Sequence, residues 1–260
     1  MRATNLALIL WACAALPCLA QEPAIAWRSL PLVHEGRLAA GWGLVGHGAF
    51  VVEGDVLRTE PSEKGLGLLV YTKERFGDCQ IRVVYRPRDA RANAGLFIRM
   101  DEGVLNWVGK DSLAVRREAN GKLSAEMLKR MQEASETEQG AWYAVHHGYE
   151  VQMCDTGDSL HRTGAIYSLA PAAEIRSPKY DPWRTMVVTL QGRKVIVELD
   201  GQELARFDEE SPSNPPRKNW TEPKREPMRP IAGYIGLQVH DPGDLVYFKE
   251  VAVRPLARQP

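Results

Sequence analysis

Thr185-Met186-Val187-Val188-Thr189-Leu190, Lys194-Val195-Ile196-Val197-Glu198-Leu199 and Gln202-Glu203-Leu204-Ala205-Arg206-Phe207 follow one another with only Gln191-Gly192-Arg193 and Asp200-Gly201 between them. The first two runs are rich in β-branched residues, and all three are shorter than a typical globular helix. Asp-Gly tolerates the left-handed backbone of a two-residue hairpin, whose twist matches that of paired strands. The stretch therefore predicts an antiparallel meander.

The same signature recurs on both sides. Residues 50–57 read as two short strands around Gly54-Asp55, residues 67–71 and 94–100 as apolar runs, and residues 79–86 as an alternation that stops at Pro87. Residues 149–154 alternate with Tyr149, Val151 and Met153 on one face, and residues 235–239 and 245–253 close the pattern. Many short strands with turn residues between them predict an all-β sandwich. Two stretches depart from it. Residues 103–148 are charged and partly helical, with Ser124 placed to cap a helix carrying Met127, Leu128, Met131 and Ala134 on one stripe. Such an insertion either packs on the sandwich flank or forms a wall beside a site. Residues 211–230 contain six prolines and both charge signs and read as an extended surface loop.

The 260-residue chain is 44% hydrophobic and 25% charged, the proportions of a soluble globular protein. Lys+Arg and Asp+Glu are 33 each, so no net positive charge is available to displace counterions, and nucleic acid is not an expected partner. Arg2, the apolar run 6–16 and Pro17-Cys18-Leu19-Ala20 have the layout of a secretory signal, residues 1–20. The run is shorter than the roughly 20 apolar residues of a membrane span, so no span is expected. The expected product is exported, periplasmic or extracellular, with one domain over residues 27–256. In that setting Cys79 and Cys154 invite a disulfide. Alternation argues against it, because Cys79 is in phase with Ile81 and Val83 whereas Cys154 is in phase with Glu150 and Gln152.

Polar residues fall in phase on three strands: Arg99 with Phe97, Glu150 with Gln152, and Gln238 with His240. A sandwich buries one face of each sheet, so this set is expected on the outer, concave face of one of them. An ordinary solvated face carries mostly Lys, Glu and Thr. Gln, His and a single Glu and Arg among aromatics suit a polyhydroxylated ligand better. Trp107, Trp142 and Trp183 lie near these segments and offer rings for stacking on sugars. His146-His147 with His161 or His240 are candidate metal ligands, as is Asp155-Thr156-Gly157-Asp158 for a hard cation. The plainer readings are a solvated loop histidine pair and an Asp-rich turn. The residues leave a divalent metal cofactor open. No phosphate-binding loop, zinc cysteine cluster or nucleophile elbow is present.

At these segments the chain resembles a known family. Gly95-Leu96-Phe97-Ile98-Arg99, Gly148-Tyr149-Glu150-Val151-Gln152-Met153-Cys154-Asp155, Thr163-Gly164-Ala165-Ile166-Tyr167, Gly233-Tyr234-Ile235-Gly236-Leu237-Gln238-Val239-His240 and Val246-Tyr247-Phe248-Lys249 occur in the order of the 3-keto-disaccharide hydrolase domain. The upstream Gly77-Asp78-Cys79-Gln80-Ile81 matches too, with Cys79 where that family has Phe. Asp241-Pro242-Gly243 replaces its short His-Gly turn, and the 103–148 insertion is longer, which bears on substrate size.

The resemblance implies a concanavalin-like jelly-roll β-sandwich with a partly helical insertion. It also implies cleavage of glycosides already oxidised at C3, with an oxidised saccharide or glycoside as substrate. A C3 ketone acidifies the C2 proton; a base removes it, the C1 leaving group departs, and water then adds. That route needs a base, an enolate stabiliser and an acid. Glu150 and His240 are the expected catalytic pair, as base or acid, and Arg99, Gln152, Tyr167, Trp183 and Gln238 the expected substrate contacts. The rival reading is a non-catalytic carbohydrate-binding module on the same fold.

Overall fold

A computed structural model describes residues 25–176 and 183–256, so the expected signal segment lies outside the described residues. Strands run in the order Arg28–Ser29 (β1), Val33–His34 (β2), Arg37–Leu38 (β3), Trp42–Gly46 (β4), Ala49–Glu53 (β5), Val56–Glu60 (β6), Gly67–Phe76 (β7), Cys79–Pro87 (β8) and Ala94–Met100 (β9). The insertion then contributes a 3-10 turn at Glu102–Trp107 and two helices, Ala125–Glu136 (α1) and Ala141–His147 (α2). The chain returns to strands at Tyr149–Met153 (β10), Arg184–Gln191 (β11), Lys194–Leu199 (β12), Gln202–Asp208 (β13), Gly233–Val239 (β14) and Val246–Pro255 (β15).

The larger sheet has the order β13-β12-β11-β8-β15-β6-β5, with β1 added to β15; the smaller has the order β10-β9-β14-β7-β4. The predicted meander is β11-β12-β13, with Val188 opposite Val197 and Val195 opposite Phe207. Alternation sends Ile81, Val83 and Tyr85 of one sheet and Leu96, Ile98, Val151 and Leu237 of the other into one shared core. Each fully buried aliphatic side chain there contributes about 1.5–3 kcal/mol relative to exposure. The result is the all-β, concanavalin-like jelly-roll sandwich with a partly helical insertion. Cys79 lies in this core, its thiol pushed up to about 12 by burial, while Cys154 lies on the other face of the smaller sheet and both thiols are free.

The insertion covers the outer face of the smaller sheet. A second apolar cluster joins Val45, Leu68, Val70, Phe97 and Met100 of the sheet to Val104, Ala144 and Val145 of the insertion. The Ser124 hydroxyl accepts from Met127 N at 3.0 Å and caps α1 as the sequence predicts. Leu128, expected on the buried stripe, instead faces solvent at 45% exposure.

The proline-rich stretch 211–230 is not the plain surface loop its composition predicts. Glu222 and Arg229 are buried, and Arg229 Nε donates to Gly148 O at 3.1 Å. Lys224 N donates to His146 Nδ1 at 3.2 Å, His146 Nε2 bonds Ser135 Oγ at 2.9 Å, and Ser135 Oγ donates to Trp220 O at 2.7 Å. Burial holds His146 down to about pKa 4, so it stays neutral and keeps both bonds. This clip ties the stretch to the insertion. No described helix is long and apolar enough to cross a membrane.

Candidate active site

β9 lies between β10 and β14, with Glu150 opposite Phe97 and Gln152 opposite Gly95. Because Tyr149, Val151, Met153, Ile235 and Leu237 are spent on the core, Glu150, Gln152 and Gln238 must face outward, and His240 follows just past the strand end. Gly95 has no side chain, and the Glu150 carboxylate fills the space: a Cβ there would lie 2.6 Å from Oε1. Glu150 thus lies across β9 toward the Gln238 side chain. Burial drives its carboxyl up to about 7, against the opposing pull of the His240 charge and the polar Gln238 side chain.

Burial alone lowers the His240 pKa. The hydrogen bond to Asp244 and the charges of Asp241 and Glu150 outweigh it, and the net direction is upward. The Nδ1 to Asp244 Oδ2 distance is 3.1 Å, which leaves Nε2 for a ligand. Asp244 is itself held, since its carbonyl accepts from Thr59 Oγ1 at 3.0 Å.

Glu150, Gln152, Gln238 and His240 line one cavity of about 540 Å³. Gln152 and Gln238 are 4% and 3% exposed, and the side-chain oxygens of both, with that of Asn93 on the same cavity, have no hydrogen-bond partner. Three desolvated acceptors on residues that line one cavity are costly to leave unpaired.

Tyr167 joins the site through a short extra edge on β10: Gln152 N donates to Ala165 O and Tyr167 N to Glu150 O, each at 2.9 Å. Burial, then the charges of Glu150 and Glu222, raise the Tyr167 phenol to about 12, so it keeps its proton. His161 packs edge-on against the Tyr167 ring at 4.9 Å, with Nδ1 on Asp158 Oδ1 at 2.7 Å and Nε2 on Ser168 Oγ at 3.0 Å. Ser168 is buried and does not line the cavity, so this Asp-His-Ser chain positions Tyr167 and supplies no accessible nucleophile.

The structure brings Glu150, Gln152, Tyr167, Gln238 and His240 together and sets two expected residues apart. Arg99 is fully buried away from the cavity, donating through Nη2 to Gly192 O in the β11-β12 turn of the other sheet. The cause is local. Arg99 has φ of 52° and β14 shifts register between Tyr234 and Gly236, so the alternation breaks and Met100 takes the outer face instead. Trp183 sits on the outside of the larger sheet, with the Arg86 guanidinium 5.3 Å and the Lys249 ammonium 5.6 Å from its ring. Trp107 packs in the second apolar cluster, whereas Trp142 lines the cavity.

The candidate metal ligands are also dispersed. His146 and His147 end α2 and are neither loop residues nor solvated; His147 is clamped between Asp101 and Glu138, each at 2.8 Å. Asp155 is consumed by a buried ion pair with Arg184 at 2.9 Å, and Asp158 by His161. Among the described residues no three His, Cys, Asp or Glu side chains converge as a metal site. Sequence reasoning missed Asn93, Asp244, Thr221 and Trp220 as neighbours of the site, and weighed His161 only as a metal ligand. Asp244 alone carried a readable signal, four residues beyond His240.

The model of the 3-keto-alpha-glucoside-1,2-lyase-like domain matches residues 27–254. No curated protein matches the sequence. Among solved structures, an inferred glycosyl hydrolase of Parabacteroides distasonis is 17% identical, with 89% of this chain and 100% of that one covered at a TM-score of 0.60. A second inferred glycosyl hydrolase from that organism is also 17% identical, with 85% and 91% covered at a TM-score of 0.56. A Bacillus subtilis protein of unknown function with a galectin-like fold is 12% identical, with 92% and 99% covered at a TM-score of 0.53. At these identities the solved structures show a shared fold.

Proposed function

The chain belongs to the 3-keto-alpha-glucoside-1,2-lyase-like family, and on that premise we propose that it cleaves 3-keto-glycosides by elimination across C1–C2 followed by hydration. The observation that carries the reading is Glu150: a carboxyl that burial pushes up to about 7, seated over Gly95 in a cavity it shares with Gln152, Gln238 and His240. A general base works best with a pKa near the operating pH.

Glu150 takes the C2 proton, and the electron pair moves into the C2–C3 bond and onto the ketone oxygen as an enolate. The Gln152 and Gln238 amides and the Tyr167 hydroxyl supply N–H and O–H donors to that oxygen and to ring hydroxyls. The enolate collapses, the C1–oxygen bond breaks, and the leaving oxygen takes a proton from His240, whose Nδ1 is held by Asp244. Water adds to the resulting enone, hydroxyl to C1 and proton to C2, which restores Glu150 and His240. The two carboxylates of an ordinary glycosidase are not needed. Export by residues 1–20 and a single domain over residues 27–256 are part of the same proposal.

The test is incubation with a 3-keto-glucoside while aglycone release is followed. Release that is lost in Glu150→Gln supports the reading. Tight sugar binding with no release by the wild type makes the protein a binding module instead.

A further inference from the structure

The cavity has two chemically different ends. The sheet side presents Glu150, Gln152, Gln238, His240 and Tyr167. The facing wall, built from the insertion and the proline-rich stretch, presents Leu113, Leu123, Met131, Trp142, Val145 and Trp220, together with the polar Ser112, Gln139 and Thr221. All of these except Val145 keep part of their surface open. The charged groups on this side, Glu63 and Arg117, are exposed.

The two tryptophans form a corner. Their ring centroids are 5.6 Å apart with planes inclined by 58°. Trp142 is backed by the His146 ring at 6.3 Å and 21°. His146 is in turn held by Ser135 and Lys224, and Ser135 also bonds the Trp220 carbonyl. The clip between the insertion and the proline-rich stretch therefore fixes both rings in place. A pre-formed aromatic corner loses little conformational entropy when a flat apolar group enters it.

The glycone is placed at the polar end, beside Glu150, Gln152, Gln238 and His240. The remainder of the roughly 540 Å³ is bounded by the two indoles and by Leu113, Leu123 and Met131, with His47, Ser112, Gln139 and Thr221 among its polar groups. A flat aryl ring placed there gains contact with both indoles and with these aliphatic side chains. We infer that the group released from C1 is an apolar aryl aglycone, a phenol. The inference rests on the glycoside reading above and adds the substrate class.

The probes are unoxidised phenyl glucoside, methyl glucoside of the same anomer, and trehalose, titrated against the full protein by calorimetry. Binding needs no catalysis, so the result is independent of turnover. Phenyl glucoside is expected to bind about 10–100-fold more tightly than methyl glucoside, the worth of burying one ring against aromatic walls. Trehalose is expected to bind no better than methyl glucoside. In Trp142→Ala and Trp220→Ala the phenyl-to-methyl affinity ratio is expected to fall toward one. The wild-type ratio decides the matter if either variant fails to fold. Equal affinities for phenyl and methyl glucoside, tightest binding of trehalose, or no binding of any probe would overturn the inference. If the ratio stands but phenyl 3-keto-glucoside releases no phenol, the aryl pocket survives and only the catalytic reading fails.

Discussion

The Glu150 carboxylate occupies the place where a side chain on Gly95 would be: a Cβ on Gly95 would lie 2.6 Å from Oε1, 2.8 Å from Cγ and 3.1 Å from Cδ of Glu150. Glycine on β9, the strand between β10 and β14, is what lets a carboxylate from β10 lie across the sheet toward Gln238. Gly95→Ala is therefore expected to swing Glu150 off its seat. Because the displaced atoms end a flexible chain, the cost to stability is expected to stay within about 1 kcal/mol of the usual glycine effects. Turnover of a 3-keto-glucoside is expected to drop by about 10²-fold, as for misplacement of a catalytic group. Paired thermal melts and initial rates check both halves.

Glu150→Gln is expected to lower turnover by about 10²–10⁴-fold, the range for loss of a general base, and to alter sugar affinity far less. It also has a stability signature. Burial raises the folded-state pKa from 4.5 to about 7, so the folded chain keeps a proton that the unfolded chain loses. Wild-type stability is full below pH 4.5 and declines as pH rises toward 7, by on the order of 1–3 kcal/mol. The variant lacks that decline. Urea titrations at several pH values, with the two proteins showing the same pH slope, would contradict the assignment.

Asp244 tunes His240. Its hydrogen bond and the charges around the ring keep the imidazolium populated to higher pH than burial alone would allow. Asp244→Asn removes one of those charges, so the His240 pKa is expected to fall. The acid form is then lost sooner, and the alkaline limb of the rate profile is expected to move to lower pH. The acidic limb, set by Glu150, is expected to move less. A pH series of kcat/KM on both proteins measures the two limbs separately.

The ion pair of Arg184 with Asp155, 2.9 Å long with side chains 1% and 8% exposed, is expected to behave as a structural unit. Arg184→Met leaves a buried carboxylate without its cation, at a cost of about 3–5 kcal/mol. Denaturant unfolding at neutral pH is the measurement. A loss below about 1 kcal/mol would show that water reaches Asp155 freely.

Arg99 and Trp183 lie away from the cavity, one buried against the β11-β12 turn and the other outside the larger sheet. Arg99→Met and Trp183→Ala are accordingly expected to leave glucoside affinity within about twofold of wild type, by the independence of distant sites. Calorimetric titration of either folded variant checks this. A tenfold loss in one of them would place a ligand contact on a surface the cavity does not reach.

The polar set on β10 and β14 was legible because a strand repeats every two residues. Once Tyr149, Val151 and Leu237 are assigned inward, Glu150, Gln152 and Gln238 have no other side to occupy. The same rule placed Cys79 and Cys154 on opposite faces. It failed at Arg99, where one positive φ and a register shift on the neighbouring strand swap the faces of Arg99 and Met100. Period-two patterning carries no sign of such a break. Trp183 precedes β11 rather than lying within it, and no alternation governs a residue outside a strand.

The sequence by itself determined the sandwich, its strands from residue 50 onward, the capped helix and the facing of Glu150, Gln152 and Gln238. Those follow from nearest-neighbour sterics, side-chain periodicity and the burial of apolar faces, which are local properties. Only the tertiary structure decided that the insertion and the proline-rich stretch close over that face, that Trp142 meets Trp220, and that Gly95 seats Glu150. It also decided that the Glu150 carboxyl titrates near 7. Each of these depends on how much water is excluded by residues far apart in the chain, and desolvation is a property of the assembled surroundings rather than of any short run of residues.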